Sequence, residues 1–282
     1  MQHEDNPKSI KYHVKRYLLR EAERFRGKTT VGFPAGNGIT SRIIQELGGT
    51  PLPFDLFPEY FKVPGMTCQR ANINEGIPLE QGTADFLICQ EGIEHFTDQL
   101  HALKAFNKVL KKGGGLIITT PNYSNLRAKV SYLLSESERF NSIIGPNELD
   151  SIWMSDQGIT KEIYYGHIFL TGIIKLRCLA RLAGFRIKHI EFTRAKSTSL
   201  LLLPLWYPWI LLSNTLTYLK RMRKNKDFDR ATKKAVYGEL FRLAVSPKLL
   251  VDGHLFVELE KECEVDEVAE NLKSQHKEFG ST

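Results

Sequence analysis

Short apolar runs alternate along this chain with segments whose apolar residues recur at every third or fourth position. The runs predict strands at residues 29–33, 51–54, 66–71, 84–89, 116–120, 185–192 and 254–259. The periodic segments predict helices at residues 9–26, 39–47, 98–110, 171–183 and 231–243. Alternation of this kind is typical of right-handed strand–helix–strand units. The pattern therefore predicts an α/β fold, a mostly parallel sheet with helices on both faces.

Polar residues come directly after the first two predicted strands, where an open α/β sheet binds its ligands. The first strand runs into the turn Gly36-Asn37-Gly38, whose glycines let the backbone come close to a nucleotide. Asp55 follows the second strand, where it could accept hydrogen bonds from both hydroxyls of a ribose. These positions predict the sugar end of a cofactor site.

Two further strand ends complete the predicted cofactor site. Asn72 and Ile73 follow the third strand, where we expect Asn72 to hydrogen-bond an adenine that packs against Ile73. Gln90 lies where the fourth strand opens over the same crevice. Each signal alone is weak, because glycine turns and strand-end polar residues are common. Their order and spacing together predict that one adenosine-containing cofactor binds here.

Residues 28–122 resemble the class I, Rossmann-like methyltransferases that depend on S-adenosylmethionine (SAM). The resemblance lies in VGFPAGNGITSRIIQELGG, PFDLFPE, ANINEGIPL, ADFLICQEGIEHF and LKKGGGLIITTPN. The last two pieces resemble the group of MetW-like proteins and ubiquinone-biosynthesis O-methyltransferases, and GHIFLTGIIKLRCLARLAGFRI resembles the segment after their fifth strand. The resemblance implies SAM as the cofactor and a seven-stranded sheet whose last strand, near 254–259, inserts antiparallel.

The patterns along the chain, together with the resemblance, predict how the chain is divided. In chain order, the expected parts are an N-terminal helix at 1–27, a SAM-binding core at 28–122, the rest of the methyltransferase domain at 123–262, and a charged tail at 263–282. Within the third part, insertions between 122 and 170 and between 193 and 245 would cover the acceptor site.

Methyl transfer requires an acceptor aligned with the methyl group, and a hydroxyl or amine acceptor gains from a nearby base. The candidate catalytic residues are Glu91, His95 and His167, although His167 could equally cap the next helix. The spacing of Glu91, Glu94 and His95 also resembles residues implicated in divalent-cation binding in some quinone O-methyltransferases. The alternative, which we favour, is that Glu94 and His95 brace the following helix. We therefore predict no bound metal.

The first motif departs from the family pattern at two positions. An acidic residue usually closes the first strand and a glycine follows two residues later, whereas this chain has Gly32 and Pro34. The departure leaves a non-catalytic binding protein as an alternative. An NAD(P)-dependent oxidoreductase is a further alternative, but Gly36–Ser41 lacks the third glycine of the dinucleotide fingerprint.

Composition and cysteine spacing exclude some classes of site. With 42% hydrophobic and 25% charged residues, the chain resembles ordinary globular proteins and can bury a substantial core. Its cysteines form no CxxC pair, so they predict neither a zinc site nor a disulfide framework. No cleavable signal is visible in the polar N-terminus. We expect a reducing, cytoplasmic environment.

An apolar run, LLLLPLWYPWILL at residues 200–212, precedes a cluster in which five of the seven residues at 220–226 are basic. Thirteen residues are fewer than the ~20 needed to span a bilayer as a helix, and Pro204 and Pro208 interrupt the run. An apolar, aromatic segment beside cations is typical of contact with an anionic membrane surface. The alternative is a lid or a subunit contact.

The same segment bears on the partners and the acceptor. We expect no nucleic-acid partner, because no recognition motif accompanies the cations. A membrane contact at 200–226 would place the protein peripherally on the inner face of the membrane. It would also favour O-methylation of a lipid-linked or glycan acceptor, with a quinone-type acceptor next.

Overall fold

The computed structural model describes residues 3–137 and 163–276, together with residues 145, 147, 149 and 152–154. The described strands are β1 (Thr29–Gly32), β2 (Thr50–Asp55), β3 (Gln69–Arg70), β4 (Ala84–Gln90), β5 (Leu110–Pro121), β6 (Ile152–Met154), β7 (Ile163–Tyr165), β8 (Phe185–Ile190) and β9 (His254–Lys261). The described α-helices are α1 (Ile10–Arg20), α2 (Ala22–Phe25), α3 (Ile39–Glu46), α4 (Gln99–Val109), α5 (Leu126–Ser135), α6 (Ile173–Leu182), α7 (Ser197–Lys224), α8 (Arg230–Ala244), α9 (Pro247–Val251) and α10 (Val268–Lys273).

Seven of these strands form one sheet in the order β3-β2-β1-β4-β5-β9-β8. Neighbours from β3 to β5 run parallel, whereas β9 is antiparallel to both β5 and β8. The predicted seven-stranded sheet and its antiparallel last strand are therefore confirmed. The chain order reverses between β1 and β4, and ligands of open α/β sheets bind beside the carboxyl ends of strands at such a switch point.

Strand β4 shows how both faces of the sheet are covered. Phe86 and Ile88 belong to a core cluster shared with α1 and α3. Leu87 and Cys89, on the opposite face, belong to the larger cluster shared with α4 and α6. Successive side chains of a strand point to opposite faces, so a continuous apolar run is the sequence of a strand buried on both sides. The expectation of helices on both faces is confirmed.

The N-terminal segment packs against the sheet as two helices. Ser9 caps α1 by accepting a hydrogen bond from the backbone N–H of Lys11 at 3.2 Å. The helix is broken at Glu21, so the single helix expected over 9–26 is wrong at that point. The phenol of Tyr17 donates to the buried carboxylate of Glu258 at 2.6 Å, which ties α1 to β9.

Several predicted segments differ in extent from the observed ones. The fifth strand, expected over 116–120, already begins at Leu110. The third strand, expected over 66–71, pairs with β2 only at Gln69 and Arg70. Of the insertion expected between 122 and 170, the structure describes α5 and the small antiparallel sheet of β6 and β7. Residues 138–144, 146, 148, 150, 151 and 155–162 of that insertion lie outside the described ranges.

Helix α7 departs most from expectation. Pro204 and Pro208 were expected to interrupt the apolar run, but both lie inside one continuous helix of 28 residues. Each proline removes a single backbone N–H donor, and the many remaining hydrogen bonds carry the helix through. The helix is roughly 42 Å long at its usual rise per residue. By length and composition alone it could cross a membrane, and none of its most apolar window is buried.

Candidate active site

The glycine turn after β1 is tied to the end of β2. The Asp55 carboxylate accepts hydrogen bonds from the backbone N–H groups of Gly36, at 2.7 Å, and Phe57, at 2.9 Å. A carboxylate has about four acceptor positions, so capacity remains for the hydroxyls of a ribose. Burial raises the pKa of Asp55, and the surrounding backbone N–H groups oppose that rise. Asp55 therefore shapes the turn while still offering acceptor positions.

The two glycines of the turn have different surroundings. Gly36 has a positive φ of 53°, and a Cβ added there would meet no atom within 4 Å. Gly38 has a φ of 88°, and a Cβ added there would lie 2.5 Å from Val63 and 2.6 Å from Phe61. Gly38 is thus required for packing of the segment after β2. Gly36 leaves open space where a cofactor can approach the backbone.

Asn37 and the adenine-side residues lie around the same turn. The Asn37 carbonyl accepts a hydrogen bond from Lys62 N–H at 3.2 Å. The Asn72 side chain accepts from Asn74 N–H at 3.1 Å, after β3. Ile73 is 7% exposed and belongs to the larger core cluster. The predicted adenine-binding pair is therefore positioned by a local turn and by packing.

Gln90 connects β4 to the helix that follows the glycine turn. Its side-chain oxygen accepts a hydrogen bond from the Thr40 hydroxyl at 2.8 Å. The predicted cofactor residues thus follow the ends of four adjacent strands, β3, β2, β1 and β4. Three strand spacings amount to roughly 14 Å, which an extended adenosine cofactor can bridge. The open space at Gly36 and the remaining acceptor capacity of Asp55 fit SAM.

The loop after β4 packs against the unusual part of the first motif. A Cβ added at Gly92 would lie 2.3 Å from Cδ of Pro34. Pro34, which stands where the family pattern has a glycine, is therefore accommodated by a glycine on the neighbouring loop. This contact holds the loops after β1 and β4 together at the switch point.

Glu91 sits directly after β4 and adopts a positive φ of 48°, which is uncommon for a residue other than glycine. Its Oε1 is buried without a hydrogen-bond partner among the described residues, and its Oε2 lies 3.8 Å from Nε2 of His254. His254 is not among the residues predicted from the sequence. The signal was available, because an antiparallel last strand begins at the edge where the parallel strands end.

Burial shifts the pKa values of both Glu91 and His254. It raises the pKa of Glu91 well above its usual range, and the nearby Glu94 charge adds to the rise. Burial and the charge of Lys196 lower the pKa of His254 to about 4. His254 is therefore a neutral imidazole at physiological pH, and it can accept a proton.

A second cluster of titratable side chains consists of Glu94 and His95, in the short 3-10 helix Ile93–His95, and of His167. The Thr120 hydroxyl donates to Oε2 of Glu94 at 2.9 Å, and burial raises the pKa of Glu94 to about 7. The ring of His95 stacks on that of His167 with centroids 5.5 Å apart. The structure thus brings together two of the predicted catalytic residues.

The ligand atoms of Glu94, His95 and His167 lie within 4.8 Å of one another. Two imidazoles and a carboxylate are suitable ligands for a divalent transition metal. Glu91, which the spacing grouped with Glu94 and His95, is not part of this cluster; His167 takes its place. The expectation that catalysis needs no metal stays a prediction.

A family model described as a methyltransferase domain matches residues 3–190. The chain belongs to this methyltransferase family. It is a SAM-dependent methyltransferase, and S-adenosylmethionine is its cofactor. This assignment replaces the dinucleotide and non-catalytic alternatives. Most of the matched region is the sheet and the strand ends described above.

Two curated relatives give the range of sequence similarity. A ubiquinone biosynthesis O-methyltransferase of Xanthomonas euvesicatoria pv. vesicatoria is 24% identical over 185 residues, which cover 59% of this chain and 74% of that protein. The protein of the same description from Xanthomonas campestris pv. campestris is 29% identical over 129 residues, 43% of this chain and 52% of that protein. The chain therefore spans only about half the length of the second relative.

One solved structure extends the comparison over nearly the whole chain. A SAM-dependent methyltransferase from Archaeoglobus fulgidus aligns with a TM-score of 0.52 at 14% identity, covering 92% of this chain and 97% of that one. At this identity the likeness shows the fold alone. It agrees with the predicted Rossmann-like class.

Proposed function

We propose that this enzyme methylates a hydroxyl oxygen of an amphiphilic acceptor, one with a polar head and an apolar tail. The observation that carries the proposal is the acid–imidazole pair of Glu91 and His254 beside the cofactor site. SAM, when bound, supplies an electrophilic methyl group. The two curated relatives, both described as O-methyltransferases, support oxygen as the accepting atom at 24% and 29% identity.

The need for a proton acceptor distinguishes oxygen from nitrogen. A hydroxyl is a weak nucleophile and must lose its proton as the new oxygen–carbon bond forms and the carbon–sulfur bond breaks, whereas a neutral amine is nucleophilic enough to attack the methyl group before it loses a proton. Glu91 has a buried oxygen without a partner among the described residues, and His254 is neutral. Both groups are placed to take the hydroxyl proton, but burial moves the pKa of Glu91 upward, toward the working pH at which a general base is most effective, whereas the low pKa of His254 makes it the weaker base of the two.

The acceptor class follows from what surrounds the site. Helix α5 begins just beyond the end of β5 and packs against the exposed apolar helix α7. The apolar tail of an acceptor would pack against α5 and α7 while its polar head reaches the ends of the strands. A lipid-linked or glycan headgroup is the first choice. A quinone-type acceptor comes next, supported by the description of the relatives.

Radiolabelled methyl transfer tests the proposal. The full-length enzyme is incubated with methyl-labelled SAM and, in turn, a total membrane lipid extract, a glycolipid fraction and a polyprenyl catechol. We expect label in an organic-soluble product that survives alkaline hydrolysis, as a methyl ether does. Label released as methanol would indicate a carboxyl acceptor, and label in an amine fraction would indicate nitrogen. Either result would overturn the proposal.

Two variants connect the product to the site. Glu91→Gln and His254→Gln should lower kcat by about 10²- to 10⁴-fold, the usual contribution of a general base. Exposed Glu59 provides a matched control as Glu59→Gln. SAM affinity, measured by calorimetry, should be preserved in both site variants. Loss of binding together with activity would show that these residues hold the cofactor instead of acting on the acceptor.

A further inference from the structure

Helix α7 turns an apolar stripe toward solvent. Its exposed positions recur at helical spacing and comprise Leu201, Leu205, Pro208, Leu212, Leu216 and Leu219. Beside them Trp209 is 65% exposed. Residues 197–219 contain no charged side chain. The outer face of a helix on a globular protein is ordinarily polar, and a contiguous exposed apolar surface marks an interaction site.

Basic residues stand at both ends of this apolar stripe. Arg194 and Lys196 precede the helix. At its other end lie five exposed cations, Lys220, Arg221, Arg223, Lys224 and Lys226. Each cation near an anionic bilayer strengthens binding roughly fivefold. The cations therefore complement a negatively charged surface at both ends of the helix.

Both ends of α7 are also attached to the domain. Near its start, the Ser199 hydroxyl accepts a hydrogen bond from the Arg127 N–H of α5 at 3.2 Å. Near its end, the Lys233 ammonium of α8 donates to the Met222 carbonyl at 3.0 Å. Helix α8 itself is held by Leu243, which packs against the larger core cluster. With both ends attached to one body, α7 lies along its surface.

We propose that α7 is an interfacial anchor that lies flat on an anionic lipid bilayer, with the apolar stripe at the acyl boundary and the cations among the headgroups. Exposed Trp206 and Trp209 suit the level of the headgroups. A second copy of this chain fits less well. Because the charge at the two ends has the same sign, parallel and antiparallel pairing of two α7 helices both bring cations together.

The anchor adjoins the acceptor side of the enzyme. Helix α5 carries Leu133 and Leu134, which are 72% and 69% exposed, and it begins just beyond β5. A bilayer that contacts α7 therefore lies next to the edge of the sheet where the site is built. Membrane docking does not depend on the accepting atom, so the binding test and the methyl-transfer test fail independently.

Vesicle flotation of the full-length protein tests the anchor. Vesicles of phosphatidylcholine with phosphatidylglycerol should carry the protein at low salt, and high salt should reduce but not abolish the binding. Leu212→Gln with Leu216→Gln should weaken binding about ten- to a hundredfold. The matched control is Leu19→Gln with Leu272→Gln, which are also exposed leucines, on α1 and α10.

The basic cluster has its own matched pair of variants. Lys220→Glu with Lys224→Glu should abolish the salt-sensitive part of the binding. Lys104→Glu with Lys108→Glu, which changes two exposed lysines of α4, should leave it intact. Equal losses in the two double variants would show that only net charge matters, and the assigned surface would then be wrong.

Tryptophan quenching distinguishes a flat helix from a spanning one. In a Trp153→Phe background, Trp206 and Trp209 are the remaining tryptophans. Lipids brominated close to the headgroup should quench them more strongly than lipids brominated at the chain end. Stronger quenching from the bilayer centre would mean that α7 crosses the membrane. That result, or wild-type protein that ignores anionic vesicles at low salt, overturns the proposal.

Discussion

The backbone N–H of Gly36 donates to the Asp55 carboxylate at 2.7 Å, so the glycine turn and the end of β2 form one unit. The same carboxylate is the predicted ligand of the cofactor ribose. Its buried position and its backbone hydrogen bonds fix the carboxylate before any ligand arrives. A substitution at Asp55 must therefore affect both the shape of the turn and the affinity for SAM.

Replacing Asp55 should change both the affinity for SAM and the stability of the fold, and the two changes can be measured separately. We expect Asp55→Ala to weaken SAM binding by about 1.5–3 kcal/mol, the range for hydrogen bonds to a charged group. It should also lower the free energy of unfolding by about 1–3 kcal/mol, because two backbone N–H groups lose their acceptor. Calorimetry and urea unfolding measure the two quantities. Unchanged SAM affinity would place the ribose elsewhere.

The two glycines of the turn should respond differently to alanine. At Gly36 the added methyl group meets open space, so we expect Gly36→Ala to cost about 1–2 kcal/mol for its positive φ and to obstruct the cofactor. At Gly38 the methyl group collides with Val63 and Phe61, so Gly38→Ala should destabilise the fold more. Urea unfolding without and with SAM provides the comparison. A larger loss of stability at Gly36 would contradict the assigned roles.

Stability should depend on pH through Glu94. Its pKa in the folded protein is about 7, above the ordinary 4.5, so the native state holds this proton more tightly. The resulting stabilisation is fully present below about pH 4.5 and is lost as the pH rises through about 7. Glu94→Gln should therefore gain stability relative to wild type between pH 5 and 8, by up to about 3 kcal/mol.

The control for this pH effect is a carboxylate on the surface. Glu59 is exposed, so Glu59→Gln removes a carboxylate from the surface and leaves the buried Glu94 unchanged. Urea unfolding of the three proteins at several pH values provides the data. A constant difference between Glu94→Gln and wild type would mean that Glu94 is ionised in the folded state with an ordinary pKa.

Metal dependence is predicted to be absent. Glu94, His95 and His167 are close enough to hold a cation, but Glu94 is also bonded to Thr120 and braces the loop after β4. We expect methyl transfer to survive exhaustive treatment with EDTA. Activity that is lost on chelation, restored by magnesium or manganese and blunted in His167→Ala would falsify this expectation. The control variant Lys104→Ala, which changes an exposed lysine of α4, should respond to EDTA as the wild type does.

Local sequence patterns determined the sheet and the edge of it at which the predicted cofactor residues lie. The apolar run of β4 is continuous because both faces of the strand are covered, and the residues that follow it lie at the sheet edge by the geometry of a parallel sheet. The cap at Ser9 is likewise a local signal, since its side chain bonds an N–H two residues away. Periodicity and strand order thus predicted the fold and the position of Asp55.

Only the tertiary structure decided which distant residues meet. His254 approaches Glu91 because β9 inserts antiparallel beside β5; the expected antiparallel strand places His254 at the right edge of the sheet, but only the structure shows that its ring lies 3.8 Å from the Glu91 carboxylate. Only the structure likewise shows that Phe61 and Val63 leave no room for a Cβ at Gly38. Helix α7 runs through both prolines because backbone hydrogen bonds on either side of each continue the helix, so local propensity was overruled. Periodicity reports which residues share a face, whereas contacts across the sheet depend on how the strands are ordered in space.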